Sequence, residues 1–330
     1  MNWIKKILLL AVLAMLVLAG TVAWYAQRPL AIESLPKTVS VAPGMHLKRL
    51  AAMLEREGVI GNAQAFWLLG RVLGKGHVLR AGTYTIDAPI TPLALLDKFE
   101  RGEVTLAAVQ FIEGWNWREV RAALAAQPLL KQDSAGMTDA EVLQAIGATE
   151  SHPEGLLFPD TYLFAPHASD LQVLRRAYRL QQEKLAAAWE TRAPNLPYRT
   201  PYEALVMASI VEKETGAAFE RPEIAGVFVN RLRKGMRLQT DPTVIYGLGA
   251  RFDGNLRKVD LQTDTPYNTY TRGGLPPTPI AMPSEAAIQA ALNPAKTRAL
   301  YFVSRNDGTH VFSATLDAHN RAVNAYQRRR

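Results

Sequence analysis

The chain contains no cysteine, which removes disulfides, thiolate metal ligands and thiol redox chemistry while remaining compatible with an extracytoplasmic location. Its six histidines, His46, His77, His152, His167, His310 and His319, include no close ligand pair of the H-E-x-x-H kind. A histidine-held metal is therefore not expected. No G-x-S-x-G nucleophile elbow occurs, and GLGARF at 247–252 lacks the third glycine of a dinucleotide fingerprint. GRVLGKG at 70–76 fails as a phosphate loop, because three residues separate Gly70 from Gly74 where about four are needed and Gly76 replaces Ser or Thr. No cofactor is implied. The net charge of +8 is spread along the chain without a nucleic-acid motif, so nucleic acid is not an expected partner. Arg328, Arg329 and Arg330 read as a solvated tail, and His310, in THVF, as part of a strand or its edge.

What is present is apolar length. The 330 residues are 48% hydrophobic, enough for more than one folded unit. Residues 7–25, opening on Ile7 and closing on Tyr25, are almost entirely apolar and long enough to span a bilayer as a helix. Lys5 and Lys6 precede them, a bias that puts the N-terminus in the cytoplasm and the remaining chain outside it. A cleaved signal peptide is the competing reading. The long apolar core, and the lack of a clean small-x-small site before Trp24 and Tyr25, favour a retained anchor.

Residues 36–104 begin with a β-like KTVSVAPG. A helical pattern follows through Leu47, Leu50, Ala51 and Leu54, ending at Gly58, and a second helix covers residues 62–73. LRAGTYTI at 79–86 reads as a strand and residues 92–101 as a further helix, giving a small β-α-α-β unit. From about Thr105 a strand-like TLAAVQFI leads into a helix capped by Asn116 and Glu119, with Trp115, Val120 and Leu124 on one face. The helix over 169–190 carries Leu171, Leu174, Tyr178, Leu185 and Trp189 as an ordinary packing stripe.

The most informative stretch is ASIVEKETG at 208–216. Thr200 as N-cap, Pro201 at the first helical position and Glu203 form a capping box. The following residues, Ala204 through Val211, are apolar on more than one face, and Gly216 supplies the stop. Glu212 and Glu214 thus fall in the last turn, where the negative end of the macrodipole and partial burial both push a carboxyl pKa upward. Two positions apart on a helix, they point in nearly opposite directions. Glu214 follows Met207, Ile210 and Val211, whereas Glu212 follows Leu205, Ala208 and Ser209. Periodicity alone leaves the two close to even, beside the plain reading of a solvated Glu-Lys-Glu helix end.

Polar, Pro- and Gly-rich loops at HPEGLLFPDTYLF, LQTDPTVIYG, PYNTYTRGGLPPTPIAMPS and ALNPAK are of the kind that carries function. Together with ASIVEKETG and NRLRKGMRLQTDPTVIYG, they resemble the MltG/YceG-like endolytic murein transglycosylases, in the expected order over residues 36–326. The resemblance implies cleavage of the MurNAc-GlcNAc β-1,4 bond of peptidoglycan to leave a 1,6-anhydro-MurNAc end, terminating nascent strands. One glutamate can serve twice, protonating the leaving oxygen and then taking the proton of the C6 hydroxyl. The acid of lytic transglycosylases is typically followed by a small hydroxyl residue. Thr215 fits that place, so the resemblance assigns the acid to Glu214, with Glu212 as the alternative.

By the same resemblance, Gln239, Thr240 and Asp241 form a substrate-binding loop, and Asn268 and Tyr270 orient the reacting sugar; turn chemistry is the plain alternative for Asp241 and Asn268. Glu154 is expected at the glycan or paired with an arginine such as Arg231, and Asp160 at a turn. A water-using muramidase needs a second carboxylate roughly 5 to 9.5 Å from the acid, for which Glu154, Asp160 and Asp241 are candidates. A non-catalytic, anchored peptidoglycan-binding scaffold is the rival of another class. The expected fold is α+β: a cytoplasmic tail over 1–6, one transmembrane helix over 7–26, a LysM-like module over 36–104 and a larger mixed α/β catalytic domain over 105–330. The implied partners are peptidoglycan glycan strands, the cytoplasmic (inner) membrane and cell-wall synthases, with the catalytic domain periplasmic.

Overall fold

A computed structural model describes residues 2–75 and 79–327. His77, Gly76 and the terminal Arg328, Arg329 and Arg330 lie outside the described residues. The protein is mixed α and β, and its contacts divide it into two units, one of residues 1–107 with 163–166, the other of 108–162 with 167–330.

The first unit opens with α1 (Asn2–Gln27). Within it, Lys5–Gln27 has a mean hydropathy of 2.6 and none of its most apolar stretch is buried by protein, so it is long and apolar enough to cross a membrane. Beyond it, β1 (Lys37–Val41) pairs antiparallel with β2 (Gly82–Ile86), Lys37 facing Ile86 and Val41 facing Gly82. Strand alternation sends Val39, Val41, Tyr84 and Ile86 inward. They meet Leu50 and Leu54 of α2 (Leu47–Arg56), Phe66 and Leu69 of α3 (Ala63–Val72), and Leu95, Leu96 and Phe99 of α4 (Pro92–Arg101). Tyr84 and Phe99 meet edge to face at 4.8 Å. Strand β2 is shorter than LRAGTYTI, beginning only at Gly82, whose φ of +149° and contact with Val104 leave no room for a side chain.

The second unit takes β3 (Ala107–Gln110) from Ala108 onward, α5 (Trp117–Ala125), α6 (Asp139–Ile146) and β4 (Thr161–Phe164) up to Tyr162. The Asn116–Glu119 capping box forms as expected. The aromatic buried on α5 is Trp117, however, not Trp115, because Trp117 Nε1–H is anchored on Asp139 at 2.7 Å. On α7 (Asp170–Glu190) the buried stripe runs Leu174, Ala177, Tyr178, Gln181, Leu185 and Ala188. The expected Leu171 and Trp189 are only half-buried, and Arg192 lies 4.0 Å over the Trp189 ring.

Helix α8 (Pro201–Glu214) runs through the middle of this unit, packed by α7, α9 (Arg221–Arg233), α10 (Asp241–Leu248) and α12 (Glu285–Leu292); α11 (Lys258–Gln262) lies between the last two in sequence. Leu205, Met207, Ile210 and Val211 are fully buried, each worth about 1.5–3 kcal/mol against solvent. Ser209 resolves its own burial by donating to Val206 O at 2.7 Å and accepting Ile280 N–H at 3.0 Å. Strands β5 (Tyr301–Ser304) and β6 (His310–Ser313) form an antiparallel hairpin against which α13 (Leu316–Tyr326) packs.

Candidate active site

Thr200 caps α8 through Glu203 N–H at 3.2 Å with Pro201 behind it, but Glu203 reaches back to Arg199 N–H at 2.5 Å, so the box closes one residue early. The far end also departs from expectation. Thr215, not Gly216, breaks the helix, in an extended conformation (φ −144°, ψ 136°), and its hydroxyl accepts Ala217 N–H at 2.9 Å. Buried Thr215 therefore opens the short 3-10 turn Ala218–Glu220, leaving Glu214 as the last helical residue.

The two glutamates of that last turn have opposite fates. Glu212 is covered: Ser284, the N-cap of α12, gives it both backbone N–H (2.9 Å) and hydroxyl (2.5 Å), and Arg221 lies at 3.4 Å. Glu214 instead lines a cleft of about 420 Å³ shared with Gln239, Asp241, Tyr270, Arg231 and His310. Burial raises its carboxyl to about 7, helped by the charge of Asp241 and opposed by the Thr240 hydroxyl, His310 and Arg231. A carboxyl with such a pKa holds a proton to give at neutral pH.

The loop that carries the polar wall is built by hydrogen bonds. Thr240 is the N-cap of α10, yet its hydroxyl donates to Glu214 Oε1 and caps nothing; Thr269 supplies the Thr240 N–H with an acceptor at 3.0 Å. Gln239 sits at φ +51°, a strained region for a side-chain residue, with its N–H on Thr269 O at 3.2 Å. Asp241 is exposed and accepts the Tyr270 hydroxyl at 2.6 Å. Burial and Asp241 push the Tyr270 phenol upward, so it stays a neutral donor. Buried Asn268 gives its amide hydrogens to Asp260 O, Leu261 O and Thr263 O (3.1, 3.1 and 2.7 Å) and accepts Tyr270 N–H at 2.8 Å. It thereby sets where Tyr270 stands.

Arg231 is spent on main-chain carbonyls, Leu300 O at 2.6 Å and Leu238 O at 2.7 Å, and its guanidinium lies 5.2 Å over Tyr301. It does not pair with Glu154. Glu154, 2% exposed, accepts Trp117 N–H at 3.1 and 3.2 Å and bonds Tyr246, outside the cleft lining. Burial raises it too to about 7. Its neighbour Gly155 (φ +74°) lies where a Cβ would meet Pro279 at 2.3 Å, which packs HPEGLLF against the PPTPIAMPS segment. Asp160 is exposed and accepts Thr161 N–H at 2.7 Å, as a turn residue.

No sequence motif marks Glu220, and THVF marks His310 only as part of a strand or its edge. His310 is held by Glu220 through its backbone N–H (2.8 Å) and Nδ1 (2.7 Å) and shares the cleft with Glu214. No local pattern links these residues, which stand 90 positions apart.

The fold and site define a class: a mixed α/β protein with an open cleft that a carboxyl group at a helix end lines. The chain belongs to the YceG-like family, whose model matches residues 39–325. It is 32% identical over 305 residues to the endolytic murein transglycosylase of Bacillus subtilis, covering 87% of this chain and 84% of that one. It is 27% identical over 322 residues to the Streptococcus pneumoniae protein of the same name, covering 87% of this chain and 57% of that one. A crystal structure of a putative yceG-like protein from Listeria monocytogenes aligns with a TM-score of 0.54 at 30% identity, over 86% of this chain and 98% of that chain.

Proposed function

We propose that this protein is a membrane-anchored lytic transglycosylase that cleaves MurNAc-GlcNAc β-1,4 bonds within nascent peptidoglycan strands, with Glu214 as the acid. Membership of the YceG-like family and the names of the relatives support the activity. The single observation that carries the site is the contrast in the last turn of α8. Glu212 is enclosed by Ser284 and Arg221, while Glu214 opens onto the cleft with its carboxyl raised to about 7.

With Thr240 on Oε1, Oε2 of Glu214 is the oxygen that can give a proton to the leaving O4. The C6 hydroxyl of the muramoyl residue closes on C1, and no water is consumed. The charged Glu214 can then take the C6 hydroxyl proton. Gln239 and Asp241 stand exposed on the wall where acetamido and hydroxyl groups would lie, Tyr270 is fixed against Asp241, and Thr240 and Asn268 act through Glu214 and Tyr270. Glu154 is better suited to holding the start of α5 than to touching the glycan.

We assign residues 1–6 to a cytoplasmic tail, 7–26 to the anchor, 36–104 to a LysM-like glycan-binding module and 105–330 to the catalytic domain. Lys5 and Lys6 orient α1 so that the catalytic domain lies in the periplasm. Tethering at the inner membrane would keep the site where new glycan emerges, beside cell-wall synthases.

A second reading, a water-using muramidase, draws on Asp241, a carboxylate in the same cleft as Glu214. Incubation of the full chain in detergent with uncrosslinked glycan strands, and mass spectrometry of the new ends, separates the two. Anhydro ends are expected; reducing muramic ends would establish hydrolysis, and no new ends would establish a binding scaffold.

A further inference from the structure

The imidazole of His310 is held in one orientation by Glu220. Glu220 is 5% exposed and closes the 3-10 turn that follows Glu214. Its Oε1 accepts the His310 backbone N–H at 2.8 Å and its Oε2 lies 2.7 Å from Nδ1. A carboxylate only accepts, so opposite an ionised Glu220 the Nδ1 atom carries a proton, and whenever the ring is neutral Nε2 is its lone-pair acceptor. Phe302 and Phe312 flank the ring at 5.4 and 6.4 Å. Among the described residues Nε2 has no hydrogen-bond partner, although His310 lines the cleft that Glu214 occupies. An oriented acceptor and a protonated carboxyl in one cleft make a base and an acid with separate environments.

We propose that His310 is a second catalytic residue of this cleft, the base whose Nε2 takes the proton of the muramoyl C6 hydroxyl while Glu214 protonates the leaving oxygen. Glu220 is its positioning residue. The inference rests on the transglycosylase reading above and divides between two groups the work that reading gives to Glu214 alone. The C1–O4 bond breaks with its electron pair on O4, which receives the proton from Glu214. An O6 lone pair forms the O6–C1 bond, and the O6 proton passes to Nε2. The site is left with a Glu214 carboxylate and a His310 imidazolium. Proton transfer from one to the other restores the starting state with no water consumed. The new imidazolium, with Arg231, favours the carboxylate form of Glu214 at the moment that form appears.

The test is kinetic, on the full chain in detergent with uncrosslinked glycan strands. His310→Asn keeps a donor near the Nδ1 position for Glu220 and removes Nε2. Its thermal midpoint and KM should stay near wild type, while kcat falls by about 100-fold or more, the usual range for loss of a general base. Glu220→Gln offers an amide N–H to Nδ1, moves the ring proton to Nε2 and should lower kcat in the same way with KM unchanged. This second variant decides the matter if the first fails to fold. A wild-type kcat in either variant overturns the proposal, because a purely structural pin would leave turnover of the folded enzyme intact. If the wild type itself forms no anhydro ends, the underlying transglycosylase reading fails, and with it the base. If wild-type anhydro cleavage disappears in Glu214→Gln but persists undiminished in His310→Asn, only the present proposal fails.

Discussion

Ser284 grips Glu212 twice, through its backbone N–H at 2.9 Å and its hydroxyl at 2.5 Å, both to Oε2. The same hydroxyl accepts Ala287 N–H at 3.2 Å as the N-cap of α12, so one serine joins the end of α8 to the start of α12. Together with Arg221 at 3.4 Å this gives Glu212 a structural role. Glu212→Ala leaves the largely buried guanidinium and the Ser284 N–H without their acceptor. It is expected to cost about 3 kcal/mol in urea unfolding, with turnover per folded molecule close to wild type.

Glu214→Gln should behave in the opposite way. The amide is nearly isosteric but has no acidic proton to give, so turnover should fall by about 1,000-fold, within the range for a general acid. Its unfolding midpoint should match or exceed that of the wild type, because a buried carboxyl is replaced by a neutral group. Retained turnover with lost stability would exchange the roles of the two glutamates.

The pH-rate profile should have an alkaline limb near 7, where Glu214 loses the proton it donates. Thr240→Val removes the hydroxyl that favours the charged form, so the limb should move to higher pH. A limb unchanged by the substitution would separate this carboxyl from the rate.

Glu154 gives a pH signature in stability. Its folded-state value of about 7 stands above the ordinary 4.5, so between these the folded protein holds a proton that the unfolded chain has released. Its contribution is fully present below about 4.5 and is lost as pH rises towards 7. Glu154→Gln cannot titrate, and its stability should decline less steeply than the wild type's from pH 5 to 7.5 in paired urea titrations.

Asn268→Ala removes a buried side chain that satisfies three carbonyls and the Tyr270 N–H. A loss of about 2 kcal/mol or more is expected from the unpaired backbone groups. KM should rise as Tyr270 loses its position. Calorimetry and steady-state kinetics on the same preparation would test both.

Local hydrogen bonding was legible because its partners are neighbours in the chain. The Thr200–Pro201 start of α8, the Asn116–Glu119 box and the apolar length of α1 each follow from residues within a few positions of one another. Where burial rather than capping decides, the structure departs from the local pattern: Trp117 takes the place of Trp115, and extended Thr215 ends α8 ahead of Gly216. Periodicity put Glu212 and Glu214 in the same last turn and went no further.

The sequence by itself determined the starts of α5 and α8, the candidate anchor and the family motifs, since these depend on short-range geometry and composition. Tertiary structure decided which glutamate is enclosed and which is open. Ser284 reaches Glu212 from 72 residues away, Thr240 reaches Glu214 from 26, and Glu220 meets His310 across 90. A carboxyl's proton affinity is set by the water it loses and the charges it faces, and segments distant in the chain supply both.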